Sequence, residues 1–303
     1  MDSTLERDLR TRILASVQRR ADANGGYLTR AELEALPIGG GDEVRAIDRT
    51  RGIWNPTSLE ATLSIVSSPD GPYEDRSVVD GLFHYSYERP RSGAPPGGGS
   101  NIKLRRAREL DLPLLLLFKQ VTGTDVVYVP VQPVYVVGED TQRGEFVLAL
   151  DEPTRDVAAS LGGSIPKQYA ERLVRQRLHQ PAFRARVIHA YAQSCTVCTL
   201  KHPELLDAAH IVADREIEGI TAVTNGMAMC KIHHAAYDQN LLGVTPDFEI
   251  RINERLLAET DGPMLRHGLQ EMHEKRLVLP RRRADLPDKK ALEVRFENFL
   301  GAT

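Results

Sequence analysis

Two short pairs of metal-ligand residues constrain the C-terminal half of the chain more than any other feature. Cys195 and Cys198 are separated by two residues, and Cys230 and His233 repeat that gap. This gap lets both side chains of a tight knuckle face one ion, and four sulfur and nitrogen ligands fit tetrahedral zinc without an open position. The three cysteines of the chain all belong to this pattern, and an odd number does not suit a disulfide framework. We therefore predict a structural zinc site.

The segment between the two ligand pairs has the order of a strand, a turn and a helix. A strand-like run at Leu205–Val212 includes His210, a turn signal follows at Asn225-Gly226, and a helix is predicted to continue from His234. The order His, Asn, His between zinc pairs resembles the HNH nucleases and their ββα-metal fold. The resemblance covers roughly residues 186–252.

That resemblance implies a role for each of the three residues. His210 matches the general base of the family, and Asn225 matches the asparagine whose side chain bonds across the loop and orients the base. His234 matches the metal-binding histidine on the helix. Phosphodiester hydrolysis needs such a base to take a proton from water and a cation to neutralise the phosphorane.

The second protein ligand of the catalytic cation departs from the family pattern. In many HNH enzymes a carboxylate or histidine directly precedes the base, but this chain has Ala209 there. Asp207 and Asp238 are the available substitutes, because Asp238 follows His234 by one helical turn and shares its face. We favour Asp207, while Asp238 could instead cap or brace the helix. Oxygen ligands with one imidazole suit magnesium or manganese, and geometry alone does not exclude nickel or cobalt.

The first half of the chain changes to short β-rich runs separated by Gly, Pro and Ser clusters, from about Gly52 to Val137. They form an ordered series with a Gly-rich loop and a basic helix. The series consists of Gly71–Asp75, Asp80–Tyr87, the loop Ser92–Ser100, the helix Asn101–Leu110, and the runs Pro113–Phe118 and Pro133–Val137. It resembles the SRA (SET- and RING-associated) domain, a PUA-like barrel that flips a modified cytosine out of DNA, over about Ile53–Gly138.

The SRA resemblance implies a base pocket. A flipped base loses its stacking, so aromatic faces must replace it, and its edge must meet complementary hydrogen-bonding groups. Tyr73 and Tyr85 correspond to the stacking tyrosines, although ordinary strand packing would also account for them. Asp75 is the nearest carboxylate that could accept a hydrogen bond from the exocyclic amino group of cytosine.

A basic stretch lies just before the cysteines. Between Lys167 and Ala190 six basic side chains face one acid, Glu171, which leaves a local charge of +5 in a chain whose net charge is −3. A solvated helix face is one interpretation of such a run. Its position favours phosphate contacts, and we predict that Arg172, Arg175 and Arg177 bind the DNA backbone.

These observations predict an α+β chain with an SRA/PUA-like β-barrel followed by a zinc-containing HNH domain. The expected divisions are a helical segment at 1–50, the base reader at 51–150, a linker with the basic helix at 151–185, and the nuclease with a C-terminal extension at 186–303. The longest apolar run, Leu114–Phe118, is far too short to cross a bilayer, and the N-terminus is charged. We therefore expect a cytoplasmic protein.

Together the two resemblances imply a modification-dependent restriction endonuclease that cuts double-stranded DNA carrying 5-methylcytosine or 5-hydroxymethylcytosine. Two alternatives stay open. One is an HNH nuclease that cuts modified and unmodified DNA alike. The other is a modified-DNA-binding protein whose HNH half has lost catalysis, an interpretation that Ala209 favours and the intact His210, Asn225 and His234 oppose. Cutting two strands with one active site per chain suggests a homodimer, although a monomer could nick the strands in sequence.

Overall fold

A computed structural model describes residues 3–68, 78–79, 82–88, 97–160, 175–212, 222–260 and 262–302. The fold is a mixture of helices and antiparallel sheets, as the sequence predicts. The chain divides into two compact units. The first contains residues 1–22 and 26–182, and the second contains residues 23–25 and 183–303.

The first unit consists of a curled sheet with helices packed on it. Its helices are α1 (Ser3–Ala23), α2 (Arg30–Glu34), α3 (Ser100–Glu109) and α4 (Glu152–Ser160). Its strands are β1 (Leu28–Thr29), β2 (Leu36–Gly39), β3 (Asp42–Val44), β4 (Ile53–Trp54), β5 (Ser64–Ser67), β6 (Val78–Val79), β7 (Leu82–Ser86), β8 (Leu114–Thr122), β9 (Asp125–Asp140) and β10 (Glu145–Ala149).

The long strand β9 organises this sheet. In the described part of the chain the strand order is β4-β5-β8-β9-β10-β7-β6, and β1 pairs with β9 as well. The β5–β8 pair is parallel and the other pairs are antiparallel. Strands β8 and β9 include the apolar runs that the sequence assigns to strands. The β-branched and leucine residues of these runs are typical of a sheet that is buried under helices.

A buried ion pair fastens α1 to this sheet. Arg10 and Glu6 lie one helical turn apart, are almost fully buried, and are joined at 2.8 Å. Glu6 also accepts hydrogen bonds from backbone N–H groups, including that of Glu60 at 2.8 Å. The remaining donors of Arg10 reach the carbonyl oxygens of Ala61, Thr62 and Pro113. Because every charged group here is paired, the buried charges are tolerated.

The N-terminal helical segment belongs to the same core as the sheet. Ile13 and Val17 of α1 pack in one buried cluster with Leu115, Leu117 and Tyr128 of the central strands. A capping box begins α2, with Thr29 and Glu32 bonded reciprocally.

The second unit is built around a β hairpin followed by a helix. Its helices are α5 (Gln180–Ala190, which begins at the end of the first unit), α6 (Lys231–Asp238), α7 (Glu254–Leu257), α8 (Pro263–Gly268) and α9 (Lys289–Leu300). Its strands are β11 (Leu206–His210), β12 (Gly226–Cys230), β13 (Leu242–Val244) and β14 (Ile250–Ile252). The pairs β11–β12 and β13–β14 are antiparallel. The order β11, β12, α6 therefore has the ββα arrangement.

The C-terminal extension ends in a helix, α9, that packs on this unit. Asp288 caps α9 by accepting a hydrogen bond from the N–H of Ala291 at 2.8 Å. A side chain at Gly243 of β13 would lie 2.6 Å from the ring of Phe299, so α9 approaches β13 closely. In the described ranges no helix has the length and apolar character that a membrane span needs.

Candidate active site and metal centre

The four ligand residues predicted from their spacing come together in the second unit. One ligand atom from each of Cys195, Cys198, Cys230 and His233 lies within 4.8 Å of all the others. The measured pairs include 4.0 Å between the sulfurs of Cys198 and Cys230, and 3.6 Å between the Cys195 sulfur and His233 Nδ1. Ligands at 2.3 Å from a tetrahedral zinc would stand about 3.8 Å apart. The cluster could therefore hold a zinc ion with no position left for substrate.

Neighbouring groups prepare these ligands for a metal. The Nε2 atom of His233 bonds the carbonyl oxygen of Gly268 at 2.7 Å, which leaves Nδ1 bare and turned toward the sulfurs. The backbone N–H of Cys230 donates to the Cys195 sulfur at 3.3 Å. Hydrogen bonds from Cys198 and Cys230 lower the pKa of the Cys195 thiol well below its ordinary value. Thiolate character at this position favours a soft cation.

His210 occupies the last position of β11, opposite Gly226 of β12. Its imidazole stacks on the ring of Phe183 in α5, with centroids 4.1 Å apart and an interplanar angle of 10°. Phe183 is itself buried. A buried aromatic plate therefore fixes the plane of the His210 ring.

Asn225 fixes the backbone immediately after His210. Its side-chain oxygen accepts a hydrogen bond from the N–H of Val212 at 3.0 Å, and its side-chain nitrogen donates to the Val212 carbonyl at 3.1 Å. Its own carbonyl accepts from the N–H of Ile211 at 3.0 Å. The side chain is buried, so these bonds do not compete with bulk water. The amide thus ties the backbone at Val212 to the turn that precedes β12.

Close packing requires glycine at position 226, directly after Asn225. A Cβ atom at Gly226 would lie 2.6 Å from a methyl group of Val187 and 2.7 Å from the ring of Phe183. The backbone angle of Gly226 is an ordinary extended one, so space and not conformational freedom requires glycine. A larger residue here would displace the ring that supports His210.

The imidazole of His234, in helix α6, lies between two carboxylates. Its Nδ1 is 3.6 Å from Asp207 of β11, and its Nε2 is 3.3 Å from Asp238, one turn along α6. The carboxylates stand at opposite edges of one imidazole. One of them can therefore bind a cation together with one ring nitrogen, while the other accepts a hydrogen bond from the second nitrogen. Ala209 is fully buried and offers no ligand.

The residues assigned to the base pocket are not assembled in the described structure. Tyr73 and Asp75 lie outside the described residues. Tyr85 is only 4% exposed and packs in the core of the sheet with Phe83 and Phe146. A ring enclosed by core side chains fits the strand-packing interpretation, and the stacking of Tyr85 on a base stays a prediction.

The arginines assigned to the DNA backbone are described only in part. Arg172 lies outside the described residues, and only the backbone of Arg175 is described. Arg177 forms an ion pair with Asp151 at 3.3 Å, with its side chain still 42% exposed. The basic helix α3 offers few free charges, because Arg105 binds Glu139 and Arg106 binds Glu60.

Three supporting residues were not anticipated from the sequence. Phe183, Gly226 in its space-making role, and the carbonyl of Gly268 each act on a residue 16 or more positions away in the chain. Phe183 shares an apolar spacing with Val187 of α5 that predicts a buried helix face. No local signal shows which member of that face contacts His210.

Comparison with known proteins agrees with this geometry. Residues 195–245 match the HNH endonuclease family. The solved structure of a modification-dependent TagI restriction endonuclease is similar with a TM-score of 0.32 and 16% identity, over 89% of this chain and 90% of that one. The type IV phosphorothioation-dependent restriction endonuclease ScoMcrA is similar with a TM-score of 0.26 and 14% identity, over 75% of this chain and 51% of that one. No curated protein matches the sequence. The chain therefore carries an HNH endonuclease domain at residues 195–245 and is a nuclease.

Proposed function

We propose that this protein hydrolyses phosphodiester bonds of double-stranded DNA at the HNH site, with His210 as the general base. The observation that carries this proposal is the pair of hydrogen bonds between the side chain of Asn225 and the backbone of Val212. These two bonds immobilise the backbone directly beyond His210. The ring of Phe183 stacks on the imidazole of His210 and fixes the plane of that imidazole. A base that is held in one geometry loses little entropy when the substrate arrives.

The proton movement follows from this arrangement. The neutral imidazole of His210 takes a proton from a water molecule as the oxygen of that water attacks phosphorus, and the P–O bond to the leaving sugar oxygen breaks, so that this oxygen ends as a hydroxyl group on the departing strand. Asn225 keeps the ring aimed during this transfer, since its side chain holds the loop and not the substrate. A general base of this kind contributes about 10² to 10⁴ in rate.

The group of His234, Asp207 and Asp238 would hold the catalytic cation. Magnesium or manganese suits this set, which offers carboxylate oxygens and one imidazole at a partly exposed surface. When bound, the cation would supply positive charge against the phosphorane and the leaving oxygen. The Cys195, Cys198, Cys230 and His233 cluster would instead hold a structural zinc ion that carries no part of the reaction.

The first unit would select modified DNA, so that the protein acts as a restriction endonuclease against 5-methylcytosine or 5-hydroxymethylcytosine. The order of motifs that resembles an SRA domain supports this part of the proposal. Tyr73, Asp75 and Tyr85 stay candidates for the base contacts, and the burial of Tyr85 also fits ordinary strand packing. Arg172, Arg175 and Arg177 would add phosphate contacts, which in the case of Arg177 requires release from Asp151. A dimer would bring one HNH site to each strand.

One experiment tests these parts together. Matched duplexes containing cytosine, 5-methylcytosine or 5-hydroxymethylcytosine are incubated with the protein and magnesium or manganese, and then with EDTA added. We expect cutting that depends on the ion, prefers the modified duplexes, and is lost in His210→Ala. The control is His202→Ala, since the side chain of His202 is 61% exposed on the same unit.

The outcomes separate the alternatives. Equal cutting of all three duplexes would leave an HNH nuclease without modification dependence. Binding without cutting under either ion would favour a catalytically inactive reader. Activity of His210→Ala within a few-fold of the unaltered protein would remove His210 from the role of base.

A further inference from the structure

Three consecutive arginines lie on an exposed turn of the second unit, outside the segment that matches the HNH family. Arg281, Arg282 and Arg283 are all exposed, and Arg283 begins a 3₁₀ turn that ends at Asp285. We refer to residues 281–283 as the arginine turn. It follows buried Pro280 and belongs to neither of the sequence regions that were assigned to DNA.

The backbone of the arginine turn is fixed by local hydrogen bonds. The N–H of Asp285 donates to the carbonyl of Arg282 at 3.0 Å. The side chain of Asp288 caps α9, which fastens the other end of the segment to a helix of the core. Buried Pro287 lies between these two anchors. The arginines therefore extend from a rigid platform and not from a loose tail.

The same platform is joined to the loop that holds the general base. The backbone N–H of Asp288 donates to the carbonyl of Thr224 at 2.9 Å. The turn Arg283–Asp285 also packs against the turn Val223–Asn225. Since Thr224 precedes Asn225, Asp288 is one hydrogen bond and one residue away from the side chain that fixes the His210 loop. Arg283 lies five positions before Asp288, which limits that span to about 18 Å.

Within the described ranges, the arginine turn has one ion-pair partner for its three positive charges. Arg282 has one acidic partner, Asp285, at 3.7 Å, and its side chain stays 53% exposed. Among the described residues, no carboxylate forms an ion pair with Arg281 or Arg283. Concentrated positive charge on a chain whose net charge is −3 indicates a local anionic partner.

We infer that the arginine turn binds the phosphates that flank the bond to be cut and seats the duplex on the HNH site. This inference rests on the proposed DNA nuclease function. The guanidinium group matches a phosphate in planar, bidentate geometry, and phosphate contacts fix the register of a protein on DNA without reading sequence. A rigid connection from these contacts to the base places the backbone of the substrate at a constant position relative to His210.

The test replaces Arg281, Arg282 and Arg283 together by Gln in the full chain. Binding of a labelled duplex is measured by fluorescence anisotropy in EDTA over a range of salt concentrations, and cutting is measured at several DNA concentrations with magnesium or manganese. We expect affinity to fall at least about tenfold, equally for modified and unmodified duplexes, and the salt slope to shrink by about one per lost phosphate contact. We expect KM to rise by a similar factor while kcat stays within about twofold.

The matched control removes the same charge elsewhere on the unit. Arg255, Arg266 and Lys275 are exposed basic residues, and their replacement together by Gln should leave the salt slope near that of the unaltered protein. Replacement of the arginine turn by three lysines should recover most of the affinity, because the charge is kept. An unchanged slope and affinity in the Gln variant would overturn the inference, as would an equal loss in the control. If the unaltered protein cuts no duplex, the proposed function fails, while the anisotropy comparison still decides whether the arginine turn binds DNA.

Discussion

Replacing Asn225 by Ala should separate the geometry of the base from its chemistry. The substitution removes both hydrogen bonds to Val212 and leaves the N–H and the carbonyl of that residue without their partners. An unpaired buried polar group costs about 1 to 3 kcal/mol. Val212 is buried but still 9% exposed, so water can recover part of this cost. We therefore expect the free energy of unfolding to fall by about 2 to 4 kcal/mol, which lowers Tm by about 8 to 16 °C for a unit of this size.

The effect on catalysis should exceed what the loss of stability explains. Freedom of the loop moves the His210 ring by a fraction of an ångström or more, and a displacement near 1 Å can cost about 10² in rate. The measurement is kcat for duplex cutting at a temperature well below the Tm of the variant, together with Tm from calorimetry. We expect kcat to fall by about ten- to a hundredfold with little change in KM.

A second buried asparagine provides the control. Asn253 caps α7 by accepting a hydrogen bond from the N–H of Arg255 at 2.9 Å. Asn253→Ala should lose about 1 kcal/mol of stability and keep kcat. The reasoning would be refuted if Asn225→Ala retained both kcat and Tm, or if Asn253→Ala lost kcat to the same extent.

Four further predictions concern other parts of the molecule. Phe183→Leu should lower kcat while leaving bound zinc, measured by metal analysis, unchanged, because it removes only the plate beneath the base. Cys195→Ser should lose zinc and abolish cooperative unfolding of the second unit in calorimetry, since structural zinc supplies much of the folding free energy of small metal domains. Asp207→Asn and Asp238→Asn should differ in the concentration of manganese that half-saturates cutting. The variant with the larger increase in that concentration identifies the carboxylate that binds the cation directly. Burial alone would raise the pKa of Glu6, but hydrogen bonds from the Glu60 backbone and from Arg10 lower it overall. Because the pKa of Glu6 is lower in the folded state than in the unfolded state, where it is near 4.3, the ionised carboxylate stabilises the folded protein at pH values above that value. The Tm deficit of Glu6→Gln should therefore be largest at neutral pH and shrink as the pH falls below about 4.

The features predicted correctly from the sequence are those set by short chain separations. The ligand pairs Cys195 with Cys198 and Cys230 with His233 each lie within one knuckle, so their spacing alone states which side chains face one ion. The two pairs meet because β12 follows β11 in an antiparallel hairpin, whose strand and turn signals are also local.

The features that the sequence could not supply depend on contacts between distant segments. An aromatic residue on a strand fits both a base pocket and a core, because the alternation of side chains is the same in each. Tyr85 could therefore be placed only by its burial. Charge counts have the same limit. Arg105 and Arg106 read as a basic helix surface, but the carboxylates that pair with them, Glu139 and Glu60, lie 34 and 46 positions away.

The hydrogen bond from His233 to the carbonyl of Gly268 limits how the nuclease domain can be transferred to another protein. Gly268 lies 35 residues beyond His233, and the backbone N–H of Val278 donates to the carbonyl of Thr196 in the zinc knuckle at 2.8 Å. A transplant of residues 195–245 into another scaffold would leave these groups behind, together with the Phe183 ring that lies before the segment. The smallest segment that could be exchanged between proteins as a working nuclease therefore runs at least from Phe183 to Val278, almost twice the length of the stretch at 195–245 that matches the family.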